Sequence, residues 1–156
     1  MRAILGQQIS VAAARTLIGR IVARFGETIG EFPNGEPMSL FPPAGALAEQ
    51  DLTSIGLTKK RAACLQGFAA AVACGALNFD ELLDAESLMT AVQTLPGIGP
   101  WTAEYVAMRA LAEPDAFPTA DLGLLRATGL NAKELQQRAE TWRPWRAYAA
   151  IHLWNA

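Results

Sequence analysis

Along the first 26 residues, apolar side chains recur at mixed three- and four-residue steps, at Ile4, Leu5, Ile9, Ala12, Leu17, Ile21 and Phe25. That spacing follows one face of a helix and predicts a long first helix ending at Gly26. Residues 27–43 break the pattern with glycines, four prolines and acids, and read as a loop with a short turn at Met38–Phe41. Ala44–Gln50 and Asp51–Ile55 read as short helical pieces. Gly56-Leu57-Thr58 then leads into a second long helix, with Ala62, Leu65, Phe68, Ala69 and Val72 on its core face and Gly75 as its cap. Asp80–Leu83 makes one turn, and Ser87–Leu95 a helix with Leu88, Ala91, Val92 and Leu95 inward. A helix from Pro100 to about Ala112 follows, then an extended connection over Glu113–Ala120. Leu122–Thr128, Ala132–Thr141 and Pro144–Trp154 close the chain as three helices. No stretch alternates with period two for long enough to be a strand, so the expected fold is an all-α, compact multi-helix domain.

Length and composition narrow this picture. A chain of 156 residues fits one domain, and 51% apolar against 18% charged residues describes a folded chain. Cys64 and Cys74 have no further Cys or His near them in sequence, which leaves no four-ligand zinc or iron–sulfur site; they read as reduced core residues of a cytosolic protein. No apolar run reaches the roughly 18–20 residues that cross a bilayer. The first residues lack a signal peptide's order of charge, apolar core and cleavage site, and the opening fits a domain cut from a longer protein. The formal net charge of −2 argues against a partner held by bulk electrostatics alone. Its distribution is uneven: residues 1–26 carry Arg2, Arg15, Arg20 and Arg24 and no acid, so one face remains able to meet a polyanion.

The most informative stretch is Leu95-Pro96-Gly97-Ile98-Gly99-Pro100-Trp101. On one reading it is a compact connection between helices, with glycines free to turn at positive φ and Pro100 harmless at the first helical position. On another, bare backbone at a helix N-terminus offers N–H groups to an anion such as a DNA phosphate, without any lysine. Ser54-Ile55-Gly56-Leu57-Thr58 is a faint echo of the same stretch.

Leu-Pro-Gly-Ile-Gly between two helices is similar to the helix-hairpin-helix consensus. The span LPGIGPWTAEYVAMRALAEPDAFPTADLGLLR, residues 95–126, resembles the helix-hairpin-helix, Gly/Pro-rich loop and Asp of the DNA glycosylase superfamily. With RAILGQQISVAAARTL at the start and ETWRPWRAYAAIHLW at the end, the chain resembles the AlkA-like 3-methyladenine DNA glycosylases (DNA-3-methyladenine glycosylase II) over essentially its whole length.

The resemblance implies a glycosylase catalytic region over residues 1–156, lacking an N-terminal β domain, with the hairpin motif at about 87–112. It implies a monofunctional enzyme of base excision repair that hydrolyses the N-glycosidic bond of alkylated bases in duplex DNA. Asp121 matches the family's catalytic Asp, which stabilises an oxocarbenium-like sugar; on local grounds alone it reads as an N-cap. Trp101, Tyr105 and Trp154 match aromatic positions of the base pocket, suited to cationic N-alkylated purines. Trp101 also stands where strand-cleaving relatives carry a lysine, which implies no lyase activity. Gln8 matches the wedge that fills the gap left by a flipped base, and Gly97, Ile98, Gly99 and Thr102 match the DNA-facing hairpin.

No cofactor is implied beyond a monovalent cation at the hairpin, and no metal site. The implied partner is double-stranded DNA carrying alkylated bases, with no membrane, a monomeric state, fusion to an alkyltransferase or regulator domain as one arrangement, and a cytoplasmic, nucleoid-associated location. Asp115 reads as a loop residue, Trp145 as a core anchor and His152 as a buried, hydrogen-bonded histidine. Lys59, Lys60 and Arg61 read either as phosphate contacts or as a solvated helix start. The competing readings are a non-catalytic helix-hairpin-helix DNA-binding module and a helical adaptor.

Overall fold

The computed structural model describes residues 1–156 apart from Gln8, Asp80, Leu82, Leu83 and Ala156. The expected wedge residue Gln8 and most of the expected turn at Asp80–Leu83 therefore lie outside the described residues. Where length predicts one domain, the chain divides into two compact units, Met1–Asn78 with Leu95–Gly97, and Phe79–Thr94 with Ile98–Ala156.

The first unit holds α1 (Arg2–Leu5), α2 (Val11–Phe25), β1 (Thr28–Glu31), β2 (Pro37–Ser39), α3 (Ala44–Glu49), a 3-10 turn (Leu52–Ile55) and α4 (Lys59–Ala73). The expected long first helix is broken between α1 and α2. Gly6 closes α1 and Ser10 starts α2 afresh, its hydroxyl accepting the Ala13 N–H. Tertiary bonds hold the break open. The Arg61 guanidinium donates to the Gln7 carbonyl at 2.6 Å, and the Gln7 amide donates to the Gly97 carbonyl at 3.0 Å. Part of the expected loop at 27–43 is an antiparallel hairpin, with Thr28 opposite Ser39 and Glu31 opposite Pro37. Ile4, Leu5, Ile21, Leu47, Leu52 and Leu65 are fully buried, and α3 packs on α4. Truncating any one of these leucines to alanine costs about 2–5 kcal/mol.

The second unit holds α5 (Ala85–Gln93), α6 (Pro100–Ala110), α7 (Leu122–Thr128), α8 (Ala132–Ala139), a 3-10 turn (Glu140–Trp142) and α9 (Arg146–Trp154). Leu88, Val92, Ala103, Ala107, Leu124, Leu135 and Ala150 are buried. α5 packs on α6, and α7 packs on α9. Among the described residues the fold is all-α apart from the short hairpin.

Most helix starts are closed by their own side chains. Ser10, Thr58, Asp84, Asp121 and Asn131 each cap the helix they precede. No side chain caps α1, α3, α6 or α9, and at α6 the N-cap is Gly99.

Candidate active site

The site is assembled in the second unit from the start of α7, one face of α6 and the end of α9. Asp121 precedes α7, and its Oδ1 accepts the Leu124 N–H at 3.0 Å, an ordinary N-cap bond. The same oxygen accepts the Trp154 indole N–H at 2.8 Å. Oδ2 accepts the Trp101 indole N–H, also at 2.8 Å. Both carboxylate oxygens are thus fixed, by donors from three helices. Charge-assisted bonds of this kind are about twice as strong as neutral ones.

Trp101 and Tyr105 lie one helical turn apart on α6 and stack, with ring centroids 5.6 Å apart and planes at 22°. Tyr105 and Trp154 meet at 6.0 Å, tilted by 50°. The Arg109 guanidinium, a further turn along α6, lies 5.7 Å from the Tyr105 ring centre. All three rings are half-buried, as is Asp121. The four residues expected to carry the chemistry, Asp121, Trp101, Tyr105 and Trp154, therefore meet at one place.

Gly123 makes room for this arrangement. A Cβ at that position would stand 2.9 Å from Asp121 Oδ1 and 3.1 Å from Trp154 Cδ1. A side chain there would enter the space where the indole reaches the carboxylate.

The approach of α9 is set by ion pairs. Arg146 donates to both Asp115 oxygens, at 2.7 and 2.9 Å, and Arg143 pairs with Asp115 and with Glu140. The Ala147 N–H adds a bond to the Pro114 carbonyl at 2.9 Å. Asp115 is therefore more than a loop residue: it ties the 113–120 connection to the start of α9. The connection is tied to α6 as well, through the Glu104 carboxylate, which accepts the Phe117 N–H at 3.0 Å.

The glycine turn behaves differently at its two glycines. Gly97 takes φ +86°, and a Cβ there would press to 3.0 Å from the Cys64 sulfur. The fold itself requires glycine at 97. Gly99 is exposed, takes φ −101° and ψ 178°, and has no atom within 4 Å of where a Cβ would stand. Neither its backbone nor its packing calls for glycine, and its lack of a side chain leaves the first turn of α6 bare.

Thr102, expected at the DNA face, is only 2% exposed and lies on the buried side of α6 with Ala103, Val106 and Ala107; its side chain does not reach the surface. The Ile98 side chain is buried too. Trp145, expected as a core anchor, is 58% exposed and packs edge to face on the equally exposed Tyr148. His152 is exposed, being on the outer side of α9, where the expectation was a buried histidine. Of the two cysteines, Cys64 is buried and Cys74 exposed. Arg61 contacts the Gln7 main chain, a role that neither expected reading contained.

Spacing alone did not reveal Glu104, Gly123, Gln7 or Asp115 as parts of this arrangement. Glu104 carried one usable signal, an acid in the midst of an apolar helix three residues after Trp101. Among the described residues, no group of three or more His, Cys, Asp or Glu is placed to hold a metal ion. None of the described helices is long and apolar enough to cross a membrane.

The family model described as HhH-GPD superfamily base excision DNA repair protein matches residues 1–144, and the chain belongs to that superfamily. It is 41% identical over 160 residues to the probable bifunctional transcriptional activator/DNA repair enzyme AlkA of Mycobacterium tuberculosis (strain ATCC 25618 / H37Rv), a match covering 99% of this chain and 32% of that protein. It is 39% identical over 158 residues to DNA-3-methyladenine glycosylase 2 of Escherichia coli (strain K12), covering 99% of this chain and 55% of that protein. Among solved structures, the 3-methyladenine DNA-glycosylase from Archaeoglobus fulgidus superposes with a TM-score of 0.82 at 29% identity, over 98% of this chain and 55% of that one. The chain thus spans between about a third and about half of these relatives.

Proposed function

We propose that this chain is the catalytic region of a monofunctional DNA glycosylase, one that hydrolyses the N-glycosidic bond of alkylated bases such as 3-methyladenine and 7-methylguanine in duplex DNA. One observation carries the reading: the Asp121 carboxylate is held by two indole N–H groups and a helix start, at the edge of three aromatic rings.

The chemistry follows from that geometry. Cleavage builds positive charge on the deoxyribose, and a fixed carboxylate stabilises it without reorganising at the moment of reaction. Oδ1 already accepts two hydrogen bonds and Oδ2 one, so Oδ2 keeps an acceptor site to orient the attacking water. The aromatic walls favour a cationic leaving base over a neutral one by cation–π stacking, worth about 0.5–2 kcal/mol. Because alkylation itself weakens the bond that breaks, modest discrimination in the ground state is enough.

Substrate reaches the site by base flipping, with Gln8 as the wedge. Phosphate is held at the bare first turn of α6, where the helix dipole also favours an anion. A monovalent cation at the turn would be held by main-chain carbonyl oxygens. The Gly97 carbonyl accepts Gln7 and retains a second lone pair, so it fits that use. Trp101 has no amine with which to form a Schiff base, and the product is therefore an abasic site with an intact strand. The enzyme works as a monomer on duplex DNA in the cytoplasm.

The test is abasic-site release from methylated duplex DNA, comparing this chain with Asp121→Asn. Loss of roughly 10²–10³-fold in rate is expected from removing the charge. Asn keeps the N-cap oxygen, but its NH2 faces the Trp101 indole N–H, so a stability loss of about 1–3 kcal/mol is expected beside the rate loss and is read by thermal melts. Equal release by both proteins would overturn the role of Asp121, and release by neither would leave the reading of a non-catalytic DNA-binding module.

A further inference from the structure

We infer that Glu104 is a positioning residue, holding the loop that carries Asp121 in register with the two indoles; this rests on the reading of Asp121 as the catalytic carboxylate. Glu104 is half-buried on α6, one turn after Trp101. Burial pushes its carboxyl above the usual range, and the Phe117 N–H and the Arg146 guanidinium only partly draw it back. A carboxylate is an expensive group to bury, and among the described residues Glu104 accepts a hydrogen bond from the main chain of the loop, the Phe117 N–H at 3.0 Å.

What lies beyond that bond is stiff. Phe117 is 3% exposed and packs edge to face on Trp142 at 5.8 Å; Pro118 is fully buried. The Thr119 N–H returns to the Phe117 carbonyl, and the Asp121 N–H to the Pro118 carbonyl, both at 2.9 Å. Asp121 then bonds Trp101, back on α6. The path closes on itself: Glu104, Phe117, Pro118, Asp121, Trp101, and along the helix to Glu104. One helix thus grips the loop at its middle and at the catalytic end. Release of the middle lets the 117–121 turn shift, and a shift of about 1 Å at a reacting group can cost on the order of 10²-fold in rate.

The experiment uses the whole chain with three variants. E104A removes the acceptor, E104N shortens it by a methylene, and E104Q keeps an amide oxygen of the right reach while discarding the charge. Three readouts are taken: single-turnover abasic-site release, Kd for a duplex carrying a tetrahydrofuran abasic analogue, and the Trp101 and Trp154 indole N–H signals in a ¹⁵N–¹H correlation spectrum. E104A and E104N should release abasic sites about 10–100-fold more slowly with Kd within about twofold, and both indole signals should move. E104Q should restore rate and signals. Unmoved indole signals in E104A and E104N, or an E104Q as slow as E104A, would overturn the assignment. The indole readout needs no activity. A wild type that releases no abasic sites would sink the glycosylase reading, and equal release by wild type and Asp121→Asn would sink the catalytic role of Asp121, while the spectra would still decide what Glu104 positions.

Discussion

Trp154 and Asp121 are joined by a 2.8 Å hydrogen bond that fastens the last turn of α9 to the first turn of α7. Trp101 makes the matching bond to the other oxygen. The two indoles therefore have two separable properties, a ring face and an N–H. Trp101→Phe and Trp154→Phe keep a ring and remove the donor. A hydrogen bond to a charged group is worth about 1.5–3 kcal/mol, so each should slow the chemical step by about 10- to 100-fold. Affinity for damaged duplex should change far less. Single-turnover rates measured beside equilibrium binding separate the two, and a loss confined to binding would contradict the assigned role of the N–H groups.

Gly123→Ala should reduce activity far more than stability. An exposed glycine in the first turn of α7 costs about 0.5–1 kcal/mol relative to alanine, which alone favours the variant. The added Cβ, however, would lie 2.9 Å from the Asp121 carboxylate and 3.1 Å from the Trp154 ring. Displacing Oδ1 weakens both the cap and the indole bond, so the expected outcome is a Tm unchanged or lower despite the helix-propensity gain, with abasic-site release reduced by about tenfold or more. A variant as active as the wild type would show that the indole needs no such clearance.

The two glycines of the turn should separate folding from DNA binding. Gly97→Ala meets both a positive φ and the Cys64 side chain, and should lose at least about 1–2 kcal/mol of stability. Gly99→Ala meets neither obstacle and loses only the N-cap preference for glycine, so it should melt within about 1 kcal/mol of the wild type. Its methyl group nevertheless projects from the bare start of α6, and duplex affinity should fall by several-fold at fixed salt. Thermal melts and binding titrations on the two variants check both halves.

Acid should loosen the start of α5. The Ser87 backbone N–H donates to the Asp84 carboxylate and holds its pKa below the ordinary value of 3.8. A carboxyl depressed in the folded state stabilises the fold above its unfolded pKa, and that contribution disappears as pH falls through the folded value. Asp84→Asn keeps a capping oxygen that does not titrate. Its stability should therefore fall less steeply below about pH 4 than the wild type's, with little difference at pH 7. Denaturant melts between pH 2.5 and 7 read this directly.

The helical plan was legible because helix starts and stops are local events. Leu122–Thr128 was expected with the bounds it has, since Asp121 and Gly129 frame it. The first helix was misjudged for the opposite reason. Its break depends on Gln7 reaching Gly97 and on Arg61 reaching Gln7, contacts 90 and 54 residues apart in sequence. The β1–β2 hairpin escaped notice because strands of four and three residues, one holding a proline, are too short to show alternation. In the site, residue types pointed to Asp121 and its aromatic neighbours through resemblance. Helical spacing placed Trp101 beside Tyr105, but nothing in the spacing places Trp154 over α7. Trp145 and His152 misled because an aromatic or a lone histidine on an apolar helix usually faces inward, and here α9 turns them out.

The echo between residues 54–58 and 95–99 has a physical counterpart. Gly56 and Gly97 both adopt left-handed conformations, at φ +94° and +86°, and Leu57 and Ile98 follow them into buried positions. The difference comes one residue later. Thr58 turns its hydroxyl back to the Arg61 N–H and seals the start of α4, while Gly99 leaves the start of α6 without a side-chain cap. The molecule thus contains its own reference: one turn drawn twice, closed in one copy and open in the other. Exchanging the residues at 58 and 99 would transfer the seal from one helix to the other, and would ask in a single molecule whether openness alone makes such a turn grip DNA.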